Sequence, residues 1–137
     1  PYEAPAASYA RFFFEQGYDL ALPRFADRGA AMHFAQFSDP FGERDLETGP
    51  FGLLQPMADA AALEPRVLFV PLVGFTAEGA RLGQGGGHYD RWLADHPGTT
   101  AIGLAWDGQR VDDLPTEAHD IPLAAVVTPT RIYGPFA

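Results

Sequence analysis

Residues 81–91 read Arg-Leu-Gly-Gln-Gly-Gly-Gly-His-Tyr-Asp-Arg, and no other stretch of the chain is so well suited to chemistry. Gly83, Gly85, Gly86 and Gly87 fall within five positions, with Arg81 before them and Asp90 and Arg91 after them. Backbone without side chains can approach an anion closely and turn its N–H groups inward as a nest. The residues that follow, Tyr89 to Ala94, read as the first turns of a helix, whose N-terminus favours negative charge. An apolar stretch, Val67 to Val73, comes before the loop and reads as a strand. Strand, glycine loop and helix in that order are what phosphate-binding sites use. A Walker A loop would need Lys and Ser/Thr where His88 and Tyr89 stand, and the dinucleotide Gly-x-Gly-x-x-Gly spacing is absent. A flexible surface turn is the alternative for a bare glycine run. The flanking Arg81 and Asp90, and the strand ahead of them, favour an anion site.

The rest of the chain bounds what that loop can serve. Its 137 residues suit one domain that buries roughly two-thirds of its unfolded surface. Hydrophobic residues at 47% and charged residues at 20% match a folded globular protein. Glycine (15) and proline (13) stay below the roughly 25–30% at which disorder sets in, so a loop-rich fold is expected. The absence of cysteine excludes disulfides and thiolate metal sites. No apolar run of about 18 residues is present to span a membrane, and the first residues lack the basic and apolar regions of a signal peptide. A cytoplasmic protein without membrane partners is therefore expected. The net charge of −9 argues against a nucleic-acid surface. All nine basic residues are arginine, whose planar donors suit phosphate or carboxylate, and Arg81 and Arg91 are the ones beside the loop.

Periodicity and punctuation supply the elements that must position the loop. A helix is expected over 5–16, with Gly17 as its stop and Tyr9, Phe12, Phe13 and Gln16 on the face that packs against a sheet. A short buried strand over 19–23, ended by Pro23, and another over 31–37 follow. Residues 38–66, rich in Pro, Gly, Asp and Glu, read as a long irregular connection. The apolar run 67–73 suits the middle of a sheet covered on both faces. A helix over 88–95 and strands over 100–106 and 124–128 come next, with 131–133 pairing at an edge. This alternation predicts an α/β fold, a single three-layer domain over residues 1–137 with a mostly parallel central sheet flanked by helices.

Several motifs in order resemble the 5-formyltetrahydrofolate cyclo-ligase family. They are Val70-Pro71-Leu72-Val73-Gly74-Phe75, then Arg81-Leu82-Gly83-x-Gly-x-Gly-x-Tyr89-Asp90, preceded by Phe51-Gly52-Leu53-Leu54-Gln55-Pro56. Ala101-Ile102-Gly103-Leu104-Ala105, Gln109, Leu114-Pro115 and His119-Asp120 follow, and Ala21-Leu22-Pro23-Arg24 and Met32-x-Phe34 lie upstream. The match is close over residues 65–128 and traceable back to residue 3. It implies ATP-dependent closure of 5-formyltetrahydrofolate to 5,10-methenyltetrahydrofolate, with ATP as co-substrate, Mg²⁺ as cofactor and a reduced folate as the small-molecule substrate. On that resemblance the ATP-binding segment is Arg81, Leu82, Gly83, Gln84, Gly85, Gly86, Gly87, His88 and Tyr89, with Arg81 and Tyr89 catalytic. Asp90 and Asp120 match the positions that support Mg²⁺, although an Asp at a helix start is more often a cap. Glu3, Met32, Phe51, Gln55 and Tyr89 match substrate-binding positions, with core packing as the alternative for Met32 and Phe51. The substitution Asp90→Asn would then harm turnover more than folding.

The family it resembles usually opens with about fifty further residues, including a helix whose Lys and Arg side chains help bind ATP, and this chain is expected to lack that region. Two other classes compete with the enzyme. One is a non-catalytic module that holds folate or nucleotide, and the other is an unrelated α/β phosphate-binding enzyme. The sequence leaves the oligomeric state open, a monomer included.

Overall fold

The computed structural model describes residues 6–82, 87–115 and 121–136. Glu3, Gly83, Gln84, Gly85, Gly86 and Asp120 lie outside the described residues. The fold is mixed α/β, and the chain divides into two compact units, residues 6–65 and residues 66–136.

The first unit opens with α1 (Ala6–Glu15), which Gly17 ends as the sequence predicts. Gly17 sits at φ 88°, a left-handed value that side chains resist. The N–H groups of Gly17 and Tyr18 return to the carbonyls of Phe14 and Phe13, and the Tyr18 ring meets Phe13 edge-on at 5.6 Å, completing a Schellman cap. The expected sheet-packing face is not buried. Phe12 is 56% exposed and Gln16 is exposed, while Tyr9 and Phe13 are half-buried. Aromatic residues at 12, 13 and 14 point in three directions around a helix, so one surface cannot cover them all. Arg11 and Phe14 lean instead on the turn at Pro40 and Phe41.

Beyond α1 come β1 (Ala21–Arg24) and β2 (His33–Gln36), and then β3 (Leu46–Thr48), β4 (Leu54–Pro56) and β5 (Ala62–Leu63). β1, β2 and β5 form an antiparallel sheet in that order, and β3 and β4 form a hairpin. Three short strands thus replace the irregular connection expected over 38–66. β1 is half-buried rather than buried and runs through Pro23 to Arg24. An edge strand tolerates proline because nothing on its open side needs the missing N–H. The 49–52 turn joins β3 to β4, with the Gly52 N–H on the Gly49 carbonyl and Phe51 at the tip.

The second unit contains β6 (Val67–Pro71), β7 (Gly74–Phe75), β8 (Arg81–Leu82), α2 (His88–Asp95), β9 (Thr100–Leu104), β10 (Ala125–Val127) and β11 (Ile132–Tyr133). Its main sheet has the order β11-β10-β9-β6, parallel except for the antiparallel β10–β11 pair. The mostly parallel sheet and the bounds of α2 match expectation. However, among the described residues β6 lies at an edge of this sheet, not in its middle. An apolar run signals burial on both faces but carries no information about strand order. Leu72, Leu123 and Val126 close over Gly103 of β9, where a Cβ would lie 2.6, 3.0 and 3.2 Å from their methyl carbons. The β7–β8 hairpin, closed by the Gly79 N–H on the Thr76 carbonyl, brings Arg81 to the start of the glycine loop.

Candidate functional site

Arg81 ends the hairpin and Asp90 stands in the first turn of α2, so the two flank the glycine loop. The structure brings their side chains together. Arg81 donates through Nη2 to Asp90 Oδ1 and through Nη1 to the Ile121 carbonyl. The Ile121 N–H closes the triangle by donating to the same Asp90 oxygen at 3.0 Å. The Arg81 side chain is 8% exposed and that of Asp90 21%. Asp90 therefore does not cap α2, because its carboxylate joins β8 to the segment that follows Asp120. Ile121 was not anticipated from sequence. Its backbone does the binding, and a backbone contact 31 residues from Asp90 leaves no signature in side-chain type.

Gly87 precedes α2 at φ 65° and, as glycine, offers no side chain of its own to cap the helix. The next residue, His88, accepts from Arg91, with Nη2 at 3.0 Å from Nδ1. Burial and the adjacent Arg91 charge both hold the His88 imidazole below its ordinary value and so favour its neutral state. That neutral state fits the acceptor role of Nδ1. Tyr89 is half-buried and Leu82 is 50% exposed.

The remaining candidates lie in the first unit. Met32 is buried and belongs to its core. Gln55, also buried, spends its amide on one backbone residue: Oε1 accepts the Phe25 N–H at 3.1 Å, and Nε2 donates to the Phe25 carbonyl at 3.0 Å. The amide thus imitates a strand partner for Phe25. Space for it exists because residue 49 is glycine, where a Cβ would lie 2.3 Å from Oε1. Phe51, 37% exposed, meets the Phe25 ring edge-on at 4.9 Å and lies beneath the Arg28 guanidinium at 5.3 Å. Arg24, next to Phe25, donates to the Pro56 carbonyl at 2.6 Å and faces Glu47 at 3.4 Å. The chain on both sides of Gln55 is thereby fixed.

A cavity of about 180 Å³ lies in the same unit, lined by Gln36, Ser38, Asp45, Met57 and Asp59 among others. Asp45 Oδ2 accepts from the Ser38 N–H at 2.9 Å and from its hydroxyl at 2.8 Å. Burial pushes the Asp45 carboxyl up, but hydrogen bonds from the Ser38 N–H and hydroxyl, together with those from the Asp45 and Asp39 backbone, hold it below the ordinary carboxylate value. A carboxyl depressed on folding stabilises fully above its unfolded value, and that contribution is lost as the pH falls through the folded value. The substitution Ser38→Ala should move the Asp45 titration upward and flatten the acid limb of the stability–pH curve. Carboxyl NMR titration reads the first effect, and an unchanged Asp45 midpoint would refute the assignment.

The model of the 5-formyltetrahydrofolate cyclo-ligase family matches residues 2–129. The 5-formyltetrahydrofolate cyclo-ligase of Escherichia coli K12 is 52% identical over 69 residues, which are 49% of this chain and 38% of that protein. The Haemophilus influenzae protein of the same name is 37% identical over 97 residues, 66% of this chain and 52% of the relative. The NMR structure of Aquifex aeolicus 5,10-methenyltetrahydrofolate synthetase aligns with a TM-score of 0.67 at 28% identity, covering 90% of this chain and 62% of that one. The chain thus spans less than two-thirds of the length of each of these proteins. A match over nearly the whole of its own length, on a fold with a mostly parallel sheet, is decisive: the chain belongs to the 5-formyltetrahydrofolate cyclo-ligase family.

Proposed function

We propose that the protein carrying this chain converts 5-formyltetrahydrofolate to 5,10-methenyltetrahydrofolate, with hydrolysis of ATP to ADP and phosphate. The formyl oxygen attacks the γ-phosphorus of ATP and ADP departs. The folate N10 then adds to the activated formyl carbon and loses its proton, and the phosphorylated oxygen leaves as phosphate. Phosphorylation turns a poor leaving oxygen into a good one, and the protein's work is to position the partners and offset charge. The gathering of both flanks of the glycine loop around Asp90 is the observation that supports this reading most.

Segment 81–89 is assigned to ATP, with Arg81 and Tyr89 acting in the phosphoryl step. Glu3, Met32, Phe51, Gln55 and Tyr89 are assigned to the folate. The described residues fit Mg²⁺ in a limited way. Asp90 Oδ1 takes two donors and Oδ2 takes none among the described residues, so Oδ2 can serve a hard cation. Among the described residues no group of three His, Cys, Asp or Glu could hold a metal, so the ion would rely on Asp90, Asp120, water and phosphate oxygens. Bound there, Mg²⁺ would neutralise phosphate charge. The reading extends to a three-layer arrangement around the parallel sheet and to a cytoplasmic location. No helix among the described residues is long and apolar enough to cross a membrane.

Turnover is the test. The intact protein should produce ADP and methenyl absorbance in equal amounts, dependent on 5-formyltetrahydrofolate and Mg²⁺. Tight binding of folate and ATP without ADP release would instead identify a binding module.

A further inference from the structure

The folate reading leaves one part of the substrate without a counterpart. A folate ends in a glutamyl tail that carries carboxylates, whereas the residues assigned to it offer apolar, aromatic and amide groups and, in Glu3, a further acid. The chain has 18 acidic residues and 9 basic ones, so an anionic substrate meets a repulsive field unless a cation stands at its site.

Two arginines of the first unit lie beside the folate residues, and the fold treats them differently. Arg24 is spent, since it donates to the Pro56 carbonyl and faces Glu47. Arg28 is exposed, and among the described residues no carboxylate pairs with it. The neighbouring Asp27 turns its Oδ1 to the Gly29 N–H at 2.8 Å, and the Ala30 N–H closes the turn on the Asp27 carbonyl at 3.2 Å. What Arg28 does meet is Phe51, with its guanidinium carbon 5.3 Å from the ring centroid. Phe51 stands edge-on to Phe25, whose backbone N–H and carbonyl are both held by Gln55. The cation is thus stationed on a ring whose neighbour is clamped in place. Attraction between a guanidinium and a ring face is weak at an exposed site, but it orders the side chain. It also leaves the planar fork of N–H donors for a carboxylate.

We infer that Arg28 binds a carboxylate of the folate's glutamyl tail, while Phe51 borders the aromatic part of the same ligand. Arg28 is then the residue that favours folates over pteroates, which lack the tail. The inference rests on the ring-closure reading above and on its assignment of Phe51 to the folate.

Steady-state kinetics of the intact protein with 5-formyltetrahydrofolate and with 5-formyltetrahydropteroate test it. The parent should have a KM about tenfold lower for the folate, since only that substrate makes the charge-assisted contact. Arg28→Ala should close most of this gap by raising KM for the folate, with KM for ATP staying within about twofold of the parent's. Arg28→Lys should keep part of the gap, because an ammonium supplies the charge without the fork. An unaltered gap in Arg28→Ala would overturn the inference. So would an equal rise in KM for both substrates, which would mean that Arg28 only props Phe51. If the parent makes no methenyl product, the ring-closure reading fails alone, and calorimetric binding of the two ligands still decides the role of Arg28. A parent that binds neither ligand defeats both.

Discussion

The substitution Asp90→Asn should lower stability by about 3 kcal/mol, because removing one partner of a buried ion pair strands the other charge. The Arg81 guanidinium, 8% exposed, would lose its counter-charge and keep the Ile121 carbonyl with, at best, a neutral amide oxygen. Asp90 is itself 21% exposed, which places the loss at the lower end of the range for such pairs. Urea denaturation should show an earlier midpoint with an unchanged slope. This outcome differs from the expectation that Asp90→Asn harms turnover more than folding, because the carboxylate fastens three parts of the second unit. The double substitution Arg81→Met/Asp90→Leu separates the roles. Apolar replacement of both charges should restore most of the stability, while ATP-dependent turnover stays lost. A denaturation midpoint for Asp90→Asn equal to the parent's would show that the pair contributes nothing.

Gln55→Ala should cost about 3 kcal/mol, because two backbone groups of Phe25 lose their partners at about 1–3 kcal/mol each, partly made good by water. Gly49→Ala should cost about as much by a different route. Its new Cβ would stand where the Gln55 Oε1 is, at 2.3 Å, and would push the amide off Phe25. The two changes act on one contact, so the double variant should be scarcely less stable than either single one. Additive losses would mean that Gly49 serves some other purpose. Folded fractions of both variants should also bind folate more weakly, since the Phe25–Phe51 pair stands on the same clamp.

Local features were the legible ones. The bounds of α2 followed from the loop before it and Pro97-Gly98 after it, and the stop of α1 followed from Gly17. In contrast, β3, β4 and β5 escaped notice because strands of two or three residues are too short to display a period. Their Gly, Pro and acidic surroundings are those of turns. The place of β6 at an edge was equally hidden, since hydrophobicity reports burial and not neighbours. Among the candidate residues, the pairing of Arg81 with Asp90 is the contact that their shared flanking of the loop allowed, whereas Gln55 carried no sign that its amide bonds the backbone of Phe25.

Residue type and short-range spacing alone determined that a glycine run between an arginine and an aspartate leads into a helix, and that the chain has the motif order of the cyclo-ligases. Only tertiary structure decided which arginine is consumed by the fold and which is left facing solvent. The reason is physical: anion affinity resides in groups a few residues apart, while the partner that occupies a charge comes from wherever the chain returns. For Arg81 that partner includes a carbonyl 40 residues away.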